Sequence, residues 1–303
     1  LSESGSVPEL RLRNEGELAC LVLDGEELTG AKQNRVLNTS ILVAAGQEVT
    51  VPVSCTEQGR WSYTSREFAD SKVVMPSRSR SSKMRSVHAS LRARRGHRSD
   101  QGQVWSEVRA LHAGLGTRSQ TAAMRDAYLQ LVPDLDEDLA SVTVEAGQVG
   151  LAAVIDGEVQ CLDSLSRPGA YAQIHERLVG SHLMQAHALR ALRRAPASAG
   201  GGGDGSGGES DSDPGAATAA FLDRTRACRT EEFPAVAMGR ELRLEGERLV
   251  GSALVVDDTA IHLALFAAET PSQRTEGKIE MLLRRRRALR RRREPDGSGD
   301  DRG

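Results

Sequence analysis

Two pairs of apolar runs, each pair interrupted by a two-residue turn, constrain the fold of this chain most strongly. Residues 151–155 and 158–162 flank Asp156-Gly157, and an Asp-Gly pair readily takes the positive φ angles of a type I′ turn. A similar pattern over 249–267 turns at Asp257-Asp258. Both segments predict antiparallel hairpins. We interpret their likeness as shared packing needs, with a duplicated unit as the alternative.

The first sixty residues also favour β-structure. Short runs of branched apolar residues alternate with turn residues at a spacing that is typical of an antiparallel sheet or sandwich. We predict strands at 7–13, 17–23, 36–43 and 49–55.

Helical periodicity appears further along the chain. Apolar residues recur three or four positions apart within 103–131, and a longer helix is predicted over about 170–192. Residues 119–131 form the second part of the first helical region, which we expect Pro133 to end. The run 78–98 is rich in arginine and serine and contains no acid. We expect it to be solvated or mobile, with binding to nucleic-acid phosphates as the alternative.

These patterns together predict an α+β protein with an antiparallel, β-rich, sandwich-like core and inserted helices. We expect one domain over 1–270, followed by a disordered arginine-rich tail at 284–303. The expected parts of the domain are a β-rich segment at 5–61, a helical segment at 100–132, a hairpin at 142–165, a helix at 169–193, a disordered Gly/Ser/Asp insert at 195–215 and a hairpin at 240–268.

The cysteines and apolar runs narrow the class of protein. The four cysteines are scattered without a CxxC pair, so we expect no disulfide framework and no zinc site. His175 and His182 miss the i, i+4 spacing of a helical metal motif, and the sequence identifies no metal and no cofactor. The sequence has no apolar run near the ~18 residues of a membrane span. We expect a reduced, cytoplasmic protein that does not enter membranes.

A polar cluster between the first strands is the candidate site. Two blocks, 24–35 and 54–61, bring together carboxylates, arginines, amides, a thiol and one of the two tryptophans. Such varied chemistry in connecting segments suggests a binding site. The candidates for catalysis are Glu27 and Glu57, and the candidates for ligand binding are Glu26, Gln33, Asn34, Arg35, Cys55, Arg60 and Trp61.

Each candidate has a functional and a structural interpretation. Strand periodicity brings Arg35 and Glu57 to the rim of one core, where a half-buried carboxylate needs a cation, and we expect Arg35 to be that cation. The forked donors of arginine suit phosphate oxygens, Trp61 can stack on a base, and glutamates can bind ribose hydroxyls or activate water. An Arg–Glu pair can equally serve only to join two strands. Cys55 is expected to be a buried small hydrophobe rather than a nucleophile.

Six stretches, in a consistent order, carry a resemblance to a known family: GSVPEL (5–10), LDGEELTGAKQNRVLNTSILV (23–43), PVSCTEQGRW (52–61), RSDQGQVWSEV (98–108), VGLAAVIDGEVQCLDSL (149–165) and VGSALVVDDTAIHLALF (250–266). On these stretches the chain resembles the ARG and Rhodanese-Phosphatase-superfamily-associated Protein domain family, in whose name ARG stands for ADP-ribosylglycohydrolase. The resemblance implies a link to NAD and ADP-ribose metabolism, made through the genes that accompany the family, and brings no established mechanism. Its polar signature falls on the nine candidates above. Family members usually have more sequence before the first stretch, so we expect this chain to be shortened there.

Our leading hypothesis is therefore a protein that binds, and in one version also processes, an ADP-ribose-like or NAD-derived nucleotide. Arg35 and Arg60 would contact the pyrophosphate, Trp61 the base, and Glu27 or Glu57 a ribose or an attacking water. The alternative is a noncatalytic regulatory or partner-binding module whose polar cluster is structural. Specific nucleic-acid binding is not expected, although the arginine-rich tail could bind nonspecifically. The sequence does not indicate an oligomeric state.

Overall fold

The computed structural model of the protein describes residues 8–194 and 213–268. Its strands are β1 Glu9–Arg13, β2 Cys20–Val22, β3 Glu26–Gly30, β4 Arg35–Leu37, β5 Ile41–Val43, β6 Glu48–Cys55, β7 Phe68–Val74, β8 Gly150–Ile155, β9 Glu158–Leu165, β10 Arg229–Pro234, β11 Arg240–Gly246, β12 Leu249–Val256 and β13 Thr259–Ala267. Its α-helices are α1 Ser77–Arg92, α2 Gln101–Leu115, α3 Met124–Gln130, α4 Val132–Ala140, α5 Pro168–Arg194 and α6 Pro214–Arg224. Most of the predicted insert, from 195 to 212, and the predicted tail lie outside the described residues.

Antiparallel pairing builds all three sheets of the described chain, which confirms the α+β class with a β-rich core. One sheet has the strand order β1-β6-β4-β3-β7. β2 and β5 lie among these strands in the sequence but form a separate two-stranded sheet. The larger sheet has the order β10-β11-β12-β13-β9-β8. The N-terminal strands and the later strands therefore form separate sheets.

Both predicted hairpins are confirmed. β8 and β9 turn at Asp156 (φ 53°) and Gly157 (φ 77°), while β12 and β13 turn at Asp257 (φ 47°) and Asp258 (φ 58°). Positive φ at both central residues is the geometry that a type I′ turn needs. The two hairpins also pair with each other, because β9 and β13 are neighbours in the larger sheet.

Several elements differ from the sequence predictions. β3 and β7 were not predicted, because their polar residues have the composition of loops. The strand expected over 36–43 is broken at 38–40, which separates β4 from β5. Pro133 does not end a helix but lies in the first turn of α4, where proline's missing N–H costs nothing.

Residues 78–92 of the arginine- and serine-rich run lie in α1, most of whose residues are buried, so the prediction of a solvated or mobile segment is wrong for this part of the run; residues 93–96 are exposed. α1 packs against β9, β12 and β13 and against α2 and α5. Its buried residues include Arg80 and Lys83 as well as Met84 and Val87. Small serine side chains let a helix approach its neighbours closely, and the two buried cations find partners inside the protein.

The five-stranded sheet has an apolar core on each face. Val36 and Met75 pack with residues of α2 and α3 on one side. Leu28, Leu37 and Val53 pack together on the other. Because successive residues of a strand point to opposite faces, the adjacent residues Val36 and Leu37 of β4 belong to different cores. Among the helices of 8–194 and 213–268, none combines the length and apolar character needed to cross a membrane.

Arg80 of α1 lies very close to Gly25, in the turn before β3. Gly25 has φ +89°, and a Cβ there would lie 2.8 Å from Cδ of Arg80. Gly46 has φ +68°, but no atom of the described chain outside residues 45–47 lies within 4 Å of its Cβ position. We expect Gly46→Ala to cost about 1 kcal/mol from backbone strain alone. Gly25→Ala should cost about 2–4 kcal/mol, since a steric clash is added to the same strain.

Urea unfolding of the two variants measures the difference. Equal losses of stability would contradict the close approach of Arg80 to this turn.

Candidate functional site

The two blocks of the predicted polar cluster lie side by side. Arg35 of β4 is paired with Cys55 of β6. Beyond the end of that ladder, the Thr56 N–H donates to the Asn34 carbonyl at 3.0 Å. The Asn34 N–H in turn donates to Oε2 of Glu57 at 3.1 Å. The β4–β6 pairing thus brings positions 33–35 next to positions 55–57.

Arg60 is the cation that holds Glu57. Its Nε donates to both carboxylate oxygens, at 3.0 and 2.9 Å. Nη1 donates to the Ala31 carbonyl at 2.7 Å, and Nη2 donates to Oδ1 of Asn34 at 3.1 Å. Burial acts to raise the pKa of Glu57, but hydrogen bonds from Arg60 and other donors outweigh it, so this pKa is lowered. Most of the hydrogen-bonding capacity of Arg60 is therefore used within the protein.

The remaining ligand candidates on β4 and β6 are buried. Arg35 Nη1 donates to the carbonyl of Gln33 at 3.2 Å and to its Oε1 at 3.4 Å. Cys55 is 1% exposed. The side chain of Gln101, at the start of α2, spans the backbone of Cys55, accepting from its N–H at 2.7 Å and donating to its carbonyl at 2.8 Å. These contacts fix the end of β6 against α2.

Glu27 points to the opposite face of the sheet from Arg35. In β3, Glu27 is paired with Val36 and Leu28 with Arg35, so Glu27 shares the face of Val36 that α2 and α3 cover. Its Oε1 accepts from the Thr56 hydroxyl at 2.6 Å. Burial raises the pKa of Glu27 to about 7. A carboxyl group with this pKa could exchange a proton near neutral pH, but it has no exposed surface.

Glu26, the neighbouring candidate, is held by a helix. Its Oε1 accepts from Nη1 of Arg177 in α5 at 2.9 Å, and its Oε2 accepts from the Leu23 N–H at 2.7 Å. Burial raises the pKa of Glu26, although these two contacts act to lower it. Glu26 thus joins the turn before β3 to α5.

The surface of the cluster is the loop 57–66, which we call the aromatic loop. It carries Trp61 and Tyr63, whose residues are 67% and 62% exposed. The ammonium of Lys32 lies 5.0 Å from the centre of the Tyr63 ring. Arg109 of α2 donates to Oε1 of Gln58 at 2.8 Å. The other aromatic side chains of the described residues are buried or half-buried.

A second group of polar residues, which the sequence predictions missed, lies inside the protein. Nη1 and Nη2 of Arg80 donate to the two carboxylate oxygens of Asp163 at 2.9 and 2.8 Å, and both side chains are fully buried. The guanidinium also lies 4.8 Å from the centre of the Phe266 ring. Although burial acts to raise the pKa of Asp163, Arg80 and a hydrogen bond from His262 hold it far below its usual range.

Lys83 and Asp24 form a second ion pair beside the first. Lys83 Nζ contacts Oδ1 of Asp24 and donates to the Leu37 carbonyl at 2.7 Å. Arg80 Nε lies 3.5 Å from Oδ2 of Asp24. Burial lowers the pKa of Lys83, and Asp24 opposes this effect. We call Asp24, Arg80, Lys83 and Asp163 the buried ion cluster; its two cations balance its two carboxylates.

Asp163 and two side chains beside it are of types that bind metals. The donor atoms of Cys161, Asp163 and His182 lie within 4.8 Å of one another. Burial raises the pKa of Cys161 and lowers that of His182 to about 4, so both are neutral near pH 7. Arg80 already contacts both oxygens of Asp163. This arrangement favours the ion pair over a metal ion, because a divalent cation would have to compete with the guanidinium.

One sequence signal could have found Asp163. In β9 the residues Val159, Cys161, Asp163 and Leu165 alternate with more exposed neighbours and are all buried. An aspartate at an inward position of an alternating strand requires a buried cation. No comparable local signal shows that this cation is Arg80, because the two residues are far apart in sequence.

The family model that matches this chain is described as ARG and Rhodanese-Phosphatase-superfamily-associated Protein domain, and the match covers residues 1–266. No curated protein and no solved structure matches the chain.

The buried carboxyl group of Glu27 should make stability depend on pH. Its pKa rises from the ordinary 4.5 to about 7 on folding, so the folded state keeps a proton that the unfolded state loses between these values. This group therefore lowers the free energy of unfolding as pH rises through that window, by about 3 kcal/mol in total. We expect the stability of Glu27→Gln relative to the native protein to rise by about this amount between pH 4.5 and 8.

Urea unfolding across this pH range measures the effect, with Glu15→Gln as the control because the Glu15 side chain is 79% exposed. A stability difference that stays constant with pH for both variants would contradict the raised pKa of Glu27.

Proposed function

The chain belongs to the ARG and Rhodanese-Phosphatase-superfamily-associated Protein domain family, and from that premise we propose that it binds an ADP-ribose-like or NAD-derived nucleotide at the aromatic loop. The family name supplies the association with ADP-ribose metabolism. The observation that carries the proposal is the exposure of Trp61 and Tyr63 two residues apart on one braced loop.

Exposed aromatic rings suit a nucleotide base. An aromatic ring in water loses the hydrophobic stabilisation that burial would provide, and stacking on a base recovers part of it. Two such rings in one short segment favour a binding surface over chance exposure. Trp61 or Tyr63 would stack on the adenine or nicotinamide ring, as we expected for Trp61 from the sequence.

Arg60 prepares the loop for binding. Its bonds to Glu57, to the Ala31 carbonyl and to Oγ1 of Thr64 (3.1 Å) tie both ends of the loop to the sheet. A loop that is ordered before binding pays a smaller entropy cost when the ligand arrives. We therefore assign Arg60 a positioning role, in place of direct contact with the pyrophosphate.

Cations with free surface near the loop would contact the phosphates. Lys32 is half-buried beside Tyr63, and Arg109 is exposed beside Gln58. Both can reorient a long side chain toward an anion at small cost. The proposal is restricted to binding, since Glu27 is buried beneath Thr56 and Glu57 is held by Arg60.

A noncatalytic partner-binding module is the second candidate, and the contacts of Arg60 favour it. The Arg60 side chain is only 13% exposed, and its guanidinium bonds the Glu57 carboxylate, the Ala31 carbonyl and the Asn34 amide oxygen. Such contacts are typical of an arginine with a structural role. In this case Trp61 and Tyr63 would be anchors for another protein, a role in which both residue types are common.

Replacing Trp61 tests the nucleotide proposal. Because its side chain is largely exposed, Trp61→Ala should leave the free energy of unfolding nearly unchanged. Loss of one aromatic–base stack is worth about 1–3 kcal/mol, so the affinity for ADP-ribose should fall about 10-fold or more. Isothermal titration calorimetry with ADP-ribose, NAD and AMP makes this measurement.

Leu18→Ala is the matched control, because Leu18 is an apolar residue that is 82% exposed in the turn between β1 and β2. It should bind the nucleotide like the native protein. Absence of heat from the folded native protein with all three ligands would contradict nucleotide binding and leave the partner-binding candidate.

A further inference from the structure

The segment that breaks the expected strand 36–43 carries a serine into the buried centre of the protein. Ser40 lies between β4 and β5, and its Oγ is 2.7 Å from Nδ1 of His262 in β13. Nε2 of the same ring is 3.3 Å from Oδ1 of Asp163. The three side chains come from three distant parts of the sequence. They form a continuous chain of hydroxyl, imidazole and carboxylate.

The surroundings of Asp163 determine which nitrogen of His262 carries the proton. Asp163 is ionised, because Arg80 stabilises its negative charge despite burial. An ionised carboxylate accepts hydrogen bonds only, so the tautomer of the uncharged ring that fits this contact carries its proton on Nε2. Nδ1 is then left with its lone pair toward Ser40, and the hydroxyl donates to it.

This tautomer is the one that general-base catalysis needs. A neutral imidazole nitrogen within hydrogen-bond reach of a hydroxyl can take its proton while the oxygen attacks an electrophile. A carboxylate on the other nitrogen orients the ring and stabilises the imidazolium that forms. Here the nucleophile is on Nδ1 and the carboxylate on Nε2; since either nitrogen can be the base when the other carries the proton, the roles are preserved.

The backbone also positions the serine. The Asp24 N–H donates to Oγ of Ser40 at 2.9 Å, which leaves the hydroxyl proton free to point at His262. On one side of Ser40, Oγ1 of Thr39 contacts Glu241, and Nη2 of Arg243 donates to the same hydroxyl at 3.2 Å. The segment is thus fixed by contacts with the larger sheet.

The geometry points to a serine nucleophile at Ser40, with His262 as general base and Asp163 as positioning residue, for transfer of an acyl group from a small carboxylic ester. Oγ of Ser40 would bond to the carbonyl carbon while its proton passes to Nδ1 of His262. Cleavage of the ester bond would release the alcohol, which takes that proton. Water would then hydrolyse the acyl-serine to the carboxylic acid and restore the hydroxyl group.

A purely structural interpretation of the same contacts is the competing explanation. Ser40 is 5% exposed, and a hydrogen-bonded serine and histidine can join two sheets without reacting. The two interpretations differ in one property, which is the reactivity of the Ser40 oxygen toward an electrophile.

A small alkyl fluorophosphonate measures that reactivity on the 303-residue chain without knowledge of the natural substrate. In the reaction the Ser40 oxygen bonds to phosphorus, the phosphorus–fluorine bond breaks, fluoride leaves and the proton moves to His262. We expect one stoichiometric adduct, mapped to Ser40 by mass spectrometry of peptides. No adduct, or an adduct only on other residues, would overturn the proposal.

Variants distinguish a Ser40 hydroxyl that His262 activates from a serine that the reagent merely reaches. Ser40→Ala should abolish the adduct, while Ser54→Ala should keep it, because Ser54 is a buried serine bonded to Asn38 and Ser99 rather than to a histidine. His262→Gln should slow labelling about 100-fold, the usual contribution of a general base. A histidine that served only as a brace would leave labelling unchanged or faster on removal, and that result would also overturn the assignment. Because the adduct on the native protein is mapped directly, the conclusion does not depend on the stability of a variant.

Discussion

The pairing of Arg80 with Asp163 is the interaction on which the rest of this structure depends. It joins α1 to β9 in the larger sheet, and through Asp24 and Lys83 it extends to the turn that starts β3. Burying a lone charge would cost far more than a domain of this size can offset. The four charges of the buried ion cluster therefore require one another, and removal of any one leaves an uncompensated charge in the interior.

This cluster also explains why other polar groups can lie in the centre. Asp163 remains ionised because Arg80 is fixed against it, and an ionised Asp163 in turn orients His262 toward Ser40. Gly25 leaves the space that the side chain of Arg80 occupies. The charge of Arg80 in α1 thus influences how His262 of β13 is oriented toward Ser40, in the segment between β4 and β5.

The sequence predicted those parts of the fold whose causes are local. The two hairpins were predictable because turn residues and flanking alternation lie within about twenty positions of each other. The burial of α1 was not, because the carboxylates that pair with its cations are supplied by distant segments. β3 was missed for a similar reason: Glu26 and Glu27 have the composition of a loop, and it is pairing with β4 and with the distant β7 that places them in a sheet.

The candidate site was predictable to a similar degree. Strand periodicity brought Arg35 close to positions 55–57, but it could not show that Arg60, three residues from Glu57, is the cation that binds this carboxylate. Because β3 was not predicted, the sequence could not show that Glu27 lies on the opposite face of the sheet from Arg35. The exposure of Trp61 depends on the path of the whole loop, which no local pattern determines.

A double-mutant cycle on Arg80 and Asp163 tests the central claim most directly. Arg80→Met and Asp163→Leu should each cost about 3–5 kcal/mol in the free energy of unfolding, because each leaves an unpaired buried charge. The double variant removes one charge of each sign, so its loss should be smaller than the sum of the single losses by about 2 kcal/mol or more. The exposed pair Arg240 and Asp258, with side chains 45% and 88% exposed, should give a coupling of no more than about 0.5 kcal/mol in the same cycle. Additive losses at Arg80 and Asp163 would contradict the account.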